Sequence, residues 1–123
     1  MSVMQKPFGF RRDLRLLSPA QFRTVFDQVD VKAPAEHCLL LARHNSENRP
    51  RLGFILSKKN VRLAVQRNRI KRYAREYLRL HQQELPPLDI IFMGRKGLGS
   101  LSDAELHRLV RKQFEKLSRR ARS

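Results

Sequence analysis

RLGFILSKKNVRLAVQRNRIKRYAREYLRLHQQELPPLDIIFMGR, residues 51–95, changes its hydrophobic period twice. In Arg51 to Ser57, Leu52, Phe54 and Leu56 alternate with Gly53, Ile55 and Ser57, and this period of two predicts a strand. From about Asn60 to Gln82 the period lengthens to that of a helix. Leu63, Ile70, Ala74, Tyr77 and Leu78 fall within about 100° of arc on a helical wheel, with Asn68, Arg72, Arg75 and Arg79 opposite. Pro86 and Pro87 stop the helix, and Asp89 to Arg95 reads as a buried strand running into the loop Gly94 to Ser100. Strand, helix, strand makes a crossover unit.

On the N-terminal side, Ser18, Pro19 and Gln21 form a helix start: Ser18 as N-cap, Pro19 at the first helical position, Gln21 closing a capping box. Phe22, Val25, Phe26 and Val29 give that helix one apolar face, ending near Val29. Pro34 interrupts, with room for a short strand near residues 30–35, and His37 to Arg43 reads as a buried strand. The turn-prone run Asn45 to Pro50 joins it to Arg51 to Ser57 as a strand pair. Beyond the crossover, Ser102 and Glu105 form a second capping box, and Leu106, Val110, Phe114 and Leu117 stripe the last helix. Residues 1–10 are expected to be flexible and Arg119 to Ser123 to be a frayed basic tail. The chain of 123 residues has room for one domain, an α+β sandwich with helices covering a small sheet.

The charge narrows the function. Against 27 Lys and Arg stand 11 Asp and Glu, a net charge of +16. Such self-repulsion weakens the compact state and favours a polyanionic partner, nucleic acid first. Lys58, Lys59, Arg62, Arg67, Arg69, Lys71, Arg72, Arg75 and Arg79 are offset only by Glu76, and ordinary surface helices intersperse more acids than this. Lys58 and Lys59 precede the helix, Asn60 is placed as its N-cap, and a helix start attracts phosphate. Arg67 falls near the apolar face. Either its stem snorkels along the core edge, or that edge opens into a cleft where a phosphate or base is held. Phe22 and Phe26, one turn apart, are either core or a base-stacking platform. Arg95 and Lys96 form a third basic point beside Gly94, Gly97 and Gly99, which lack the nucleotide-binding GxxxxGK[ST] pattern.

Catalytic residues are scarce. His37, His44, His81 and His107 are scattered without metal-binding spacing, and each reads as a surface or structural residue. Cys38, the single cysteine, sits mid-strand as a small core residue and excludes both an internal disulfide and a thiolate-rich zinc site. Glu84 and Asp89 read as turn residues or salt-bridge partners. No apolar run is long enough for a signal-peptide core or a membrane span, so a cytoplasmic location is the expectation. Any reaction this chain takes part in needs reactive groups from elsewhere.

SKKNVRLAVQRNRIKRYARE, residues 57–76, resembles the signature of the bacterial ribonuclease P protein subunit, centred on the RNR motif Arg67, Asn68 and Arg69. The likeness extends to SPAQFRTVF (18–26), RLGFILSKK (51–59) and DIIFMGRKG (89–97), and the Asn60-Val61-Arg62 form looks like the proteobacterial branch. The resemblance implies an α/β sandwich with a left-handed βαβ crossover. It implies a partner RNA that hydrolyses precursor tRNA with bound magnesium, leaving the mature 5′ end; no metal ligands are expected from this chain. Carried over, Phe22 and Phe26 would line a cleft for the single-stranded 5′ leader, with Lys58, Lys59, Arg95 and Lys96 near its phosphates. Arg67, Asn68, Arg69, Lys71 and Arg72 would meet the catalytic RNA, with Arg62, Arg75 and Arg79 as weaker candidates, in a one-to-one complex of monomer and RNA. A stand-alone RNA-binding module would explain charge and fold but not this order of motifs. A DNA-binding regulator would need a partner helix at a spacing the sequence lacks.

Overall fold

The computed structural model describes residues 18–122. Helix α1 (Pro19–Asp27) is followed by strands β1 (Val31–Pro34), β2 (Cys38–His44) and β3 (Arg51–Ile55), helix α2 (Ala64–His81), strand β4 (Leu88–Gly94) and helix α3 (Asp103–Arg122). The flexible segment expected over residues 1–10 lies outside the described residues.

β4 organises the sheet. Its first five residues are all buried, and it pairs antiparallel with β2 on one side and parallel with β3 on the other, giving the order β1-β2-β4-β3. β2 and β3, expected to pair with each other, are therefore separated. The crossover through α2 returns β4 beside β3, and the most apolar strand takes the central slot, where both of its edges are hydrogen-bonded and both faces are covered.

The two faces follow from the alternation of side chains along each strand. Leu40, Ala42, Leu52, Ile90 and Phe92 face α2 and α3, packing with Ile70, Ala74, Leu78, Leu106, Val110 and Phe114. Leu41 and Ile91, cross-strand partners, face α1 and pack with Val25 and the half-buried Phe22, Val29, Ile55 and Met93. Both expected capping boxes are present. The Ser18 and Glu105 backbone N–H groups donate to Gln21 Oε1 (3.2 Å) and Ser102 Oγ (3.1 Å), while those of Gln21 and Ser102 donate to Ser18 Oγ (3.2 Å) and Glu105 Oε1 (2.8 Å).

Three local expectations are corrected. Asn60 is not an N-cap: α2 begins only at Ala64, with Leu63 in the cap position and no side-chain cap bond, while the Asn60 amide donates to Gly94 O (3.1 Å). Leu63 leaves the apolar face because it precedes the helix, and it is exposed. Residues 119–122 of the tail expected to fray are helical, since α3 continues to Arg122, and Ser123 lies outside the described residues. From α3, Gln113, Lys116 and Arg120 donate to Ala33 O (2.6 Å), Pro34 O (2.7 Å) and Lys32 O (2.8 Å) of β1.

Asp89, on the α1 side of β4, is 6% exposed and lies opposite Arg51 in the β3–β4 register. Arg51 donates to both carboxylate oxygens (2.7 and 2.8 Å), and Asn45 Nδ2 donates to Oδ1 (2.8 Å), so a charge that burial would penalise is paired and hydrogen-bonded. Removing one partner of such a pair strands the other. Asp89→Ala is expected to lower stability by about 3 kcal/mol, read as a shift of the urea midpoint. Cys38 is fully buried, and burial pushes its thiol up to about 12. In the folded protein it should resist iodoacetamide at pH 8.5 and react once urea unfolds the chain. The sign of the pH effect follows: the unfolded thiol ionises first, so stability falls as pH rises from 9 towards 12, and Cys38→Ala removes that dependence.

Candidate nucleic-acid interface

β3 and β4 are parallel, so the segments that leave them emerge at the same end of the sheet. There the Asn60–Gly94 bond ties the turn carrying Lys58 and Lys59 to the loop carrying Arg95 and Lys96, and all four cations are exposed. The loop is held from its other side. His37 Nδ1 lies 2.9 Å from Lys96 O, Arg95 N–H donates to His37 O (2.9 Å), and Arg95 Nη1 donates to Ala35 O (3.1 Å). Gly97 has a φ of +90°, and a Cβ there would lie 2.8 Å from the His37 ring, so glycine permits both the turn and the close approach. These glycines pack a loop.

Beside this basic end, α1 covers only part of its face of the sheet. Ser18, Pro19, Phe22, Phe54 and Ile55 line an open cleft of about 410 Å³. Phe22 is half-buried in its wall, whereas Phe26 is 44% exposed and does not line it. The two phenylalanines are therefore one wall residue and one exposed residue. Phe54 and Ile55 were not identified from the sequence as cleft residues, because strand alternation does not reveal which end of an edge strand its covering helix leaves open.

The RNR motif divides its roles. Arg67 turns back to donate to Val61 O (2.9 Å) and Arg62 O (3.0 Å), holding the preceding turn against the uncapped start of α2. Its position near the apolar face thus reflects a backbone contact, neither a snorkelling stem nor an open cleft. Arg69 points the other way, donating to Asp103 Oδ1 (2.6 Å) and Leu101 O (2.8 Å) at the start of α3. The Arg69 guanidinium holds the Asp103 carboxyl below its usual range. Asn68, between them, is exposed, as are Arg62 and Arg72, while Lys71 and Arg75 are half-buried. The Arg75 guanidinium sits 5.4 Å from the centre of the Phe54 ring. Arg79 is paired with Glu76 at 2.5 Å.

A basic α+β sandwich with a cationic helix face, and an apolar cleft opening beside exposed lysines and arginines, defines an RNA-binding protein. The family model described as Ribonuclease P matches residues 10–118. The chain is 51% identical over 110 residues to the ribonuclease P protein component of Pseudomonas aeruginosa, covering 89% of this chain and 82% of that protein. It is 50% identical over 111 residues to that of Ectopseudomonas mendocina, covering 90% and 83%. Among solved structures, the Thermotoga maritima RNase P protein superposes with a TM-score of 0.72 at 28% identity, covering 85% of this chain and 96% of that one. The Staphylococcus aureus RNase P protein shares the fold, with a TM-score of 0.77 at 24% identity over 85% and 97%. The chain belongs to the ribonuclease P protein family. Its members are the protein components of the RNA enzyme that removes the 5′ leader from precursor tRNA, which accounts for a chain poor in catalytic groups.

Arg69 joins the starts of two helices, so its loss should be structural first. Arg69→Ala is expected to cost about 2 kcal/mol in chemical denaturation, the scale of lost hydrogen bonds from a charged donor. Asp103→Asn, which keeps an acceptor, should cost less.

Proposed function

We propose that this chain holds the 5′ leader of precursor tRNA in the α1 cleft while the outer face of α2 meets the catalytic RNA. The observation that carries this reading is the arrangement at the ends of β3 and β4. An apolar cleft walled by Phe22 opens beside Lys58, Lys59, Arg95 and Lys96, as a base-stacking wall with phosphate-neutralising cations beside it requires. In this reading Phe22 receives a leader base, Phe26 borders the path, and the four cations neutralise the backbone. Arg62, Asn68, Lys71, Arg72 and Arg75 contact the catalytic RNA. Arg67 and Arg69 act as positioning residues that fix the turn and α3 on either side of Asn68.

Among the described residues, no three carboxylate, imidazole or thiol groups converge on one point. We assign the magnesium to the RNA subunit, with water attack on the phosphodiester occurring there. The protein supplies leader affinity and charge neutralisation. No described helix is long and apolar enough to cross a membrane. A cytoplasmic site of action and a one-to-one complex with the RNA belong to the same proposal.

The test is cleavage of a 5′-leader precursor tRNA at low magnesium by bacterial ribonuclease P RNA alone, this chain alone, and both together. Rescue only in the mixture is expected; tight RNA binding without cleavage would make the chain a stand-alone RNA-binding module. Within the holoenzyme, Phe22→Ala should reduce the preference for precursor over mature tRNA about 10-fold, since one stacked base contributes about 1–3 kcal/mol. A stability loss with that preference intact would make Phe22 core alone.

A further inference from the structure

Three segments meet at the end of the sheet where β3 and β4 finish: the β1–β2 turn of residues 35–37, the turn carrying Lys58 and Lys59, and the loop carrying Arg95 and Lys96. Cys38 is the partner of Gly94 in the β2–β4 register, so His37 and Arg95 leave the sheet side by side. Exposed cations gathered in this way repel one another, and a loop carrying two of them swings away from the other two unless it is held. The backbone holds it at Arg95, whose N–H donates to His37 O (2.9 Å) and whose carbonyl accepts from Leu98 N–H (3.2 Å). Neither bond engages the Lys96 carbonyl. That group lies 2.9 Å from Nδ1 of the half-buried His37 ring, and a ring nitrogen facing a carbonyl can only donate, so the network assigns the proton to Nδ1. Gly97 then passes so close that a methyl group would not fit between loop and ring. His37 thus clasps successive residues of the loop with its carbonyl and its ring, while the Asn60 amide takes Gly94 O from the opposite side. The Arg95 guanidinium is itself turned back to Ala35 O on the His37 turn.

We propose that His37 is a positioning residue for precursor tRNA. Its ring fixes the Lys96 peptide and so keeps the Arg95–Lys96 loop beside Lys58 and Lys59, where a phosphate backbone meets all four cations. The ring need not touch RNA. Its contribution is that a loop already held loses less freedom when the polyanion arrives. The inference rests on the proposed function for the identity of that strand as the 5′ leader.

Two readouts separate the hold from the partner. In the free protein, His37→Ala should speed hydrogen exchange at the Arg95 and Leu98 amides about 10-fold through local opening, while the amides of β4 keep their rates. In the holoenzyme, the same variant should lower the preference for precursor over mature tRNA about 5-fold, with affinity for the catalytic RNA kept within about twofold. His37→Asn, whose Nδ2 can donate from the place of Nδ1, should recover most of both effects. Unchanged exchange in His37→Ala would overturn the proposal whatever the RNA does. Equal loss of affinity for the catalytic RNA, or no recovery with asparagine, would make His37 a structural residue alone. Lys96→Ala, measured alongside, distinguishes the remaining failures. If it lowers the preference and His37→Ala does not, the positioning role is wrong and the leader assignment stands. If neither variant lowers the preference, the leader assignment fails and the role falls with it.

Discussion

The structure depends on the burial of β4. A strand apolar on both faces can be covered only by layers on both faces, and a strand hydrogen-bonded on both edges must lie inside the sheet. α1 therefore lies on one side, with α2 and α3 on the other. The division of labour follows, because one short helix cannot cover a face that two long helices cover opposite. The part α1 leaves open, at the ends of β3 and β4, is the cleft with cations beside it. The candidate site is what remains when nine helical residues are laid on a four-stranded sheet.

Charge then limits what the fold can be by itself. A chain with a net charge of +16 uses some of its cations internally. Arg51 neutralises Asp89, Arg67 binds carbonyls before α2, and Arg69 joins α2 to α3. Arginine suits this work because its planar fork of donors reaches two acceptors at once. Lys58, Lys59, Arg62, Arg72, Arg95 and Lys96 remain on the surface. Their repulsion is relieved by a polyanion, so binding and stability are linked.

Much of this was legible in the residues. The switch of period from 2 to 3.6 marked β3 and α2, the apolar run after Pro87 marked β4, and the two capping boxes fixed the starts of α1 and α3. The family motif lies on α2, the helix to which the proposal assigns the catalytic RNA. Less legible were features set by tertiary contact. Local pairing logic joined β2 to β3, whereas the long-range return of β4 separates them. Periodicity extended α2 back to Asn60, but that side chain bonds to Gly94 across the sheet end. The motif placed Arg67 and Arg69 against RNA, and only the fold shows their guanidinium groups engaged with Val61, Arg62, Leu101 and Asp103.

The contacts from α3 to β1 matter for how crowded copies of this protein behave. An edge strand offers unpaired backbone groups to any neighbour and can seed sheet-to-sheet growth. Here β1 is four residues long and includes Pro34, which has no N–H, while Gln113, Lys116 and Arg120 occupy its carbonyls. Free in solution, like charge keeps copies apart. Once RNA has cancelled that charge, the sheathed, proline-bearing edge still resists pairing, so the safeguard at this one of the sheet's two edges is built into the geometry of the last helix.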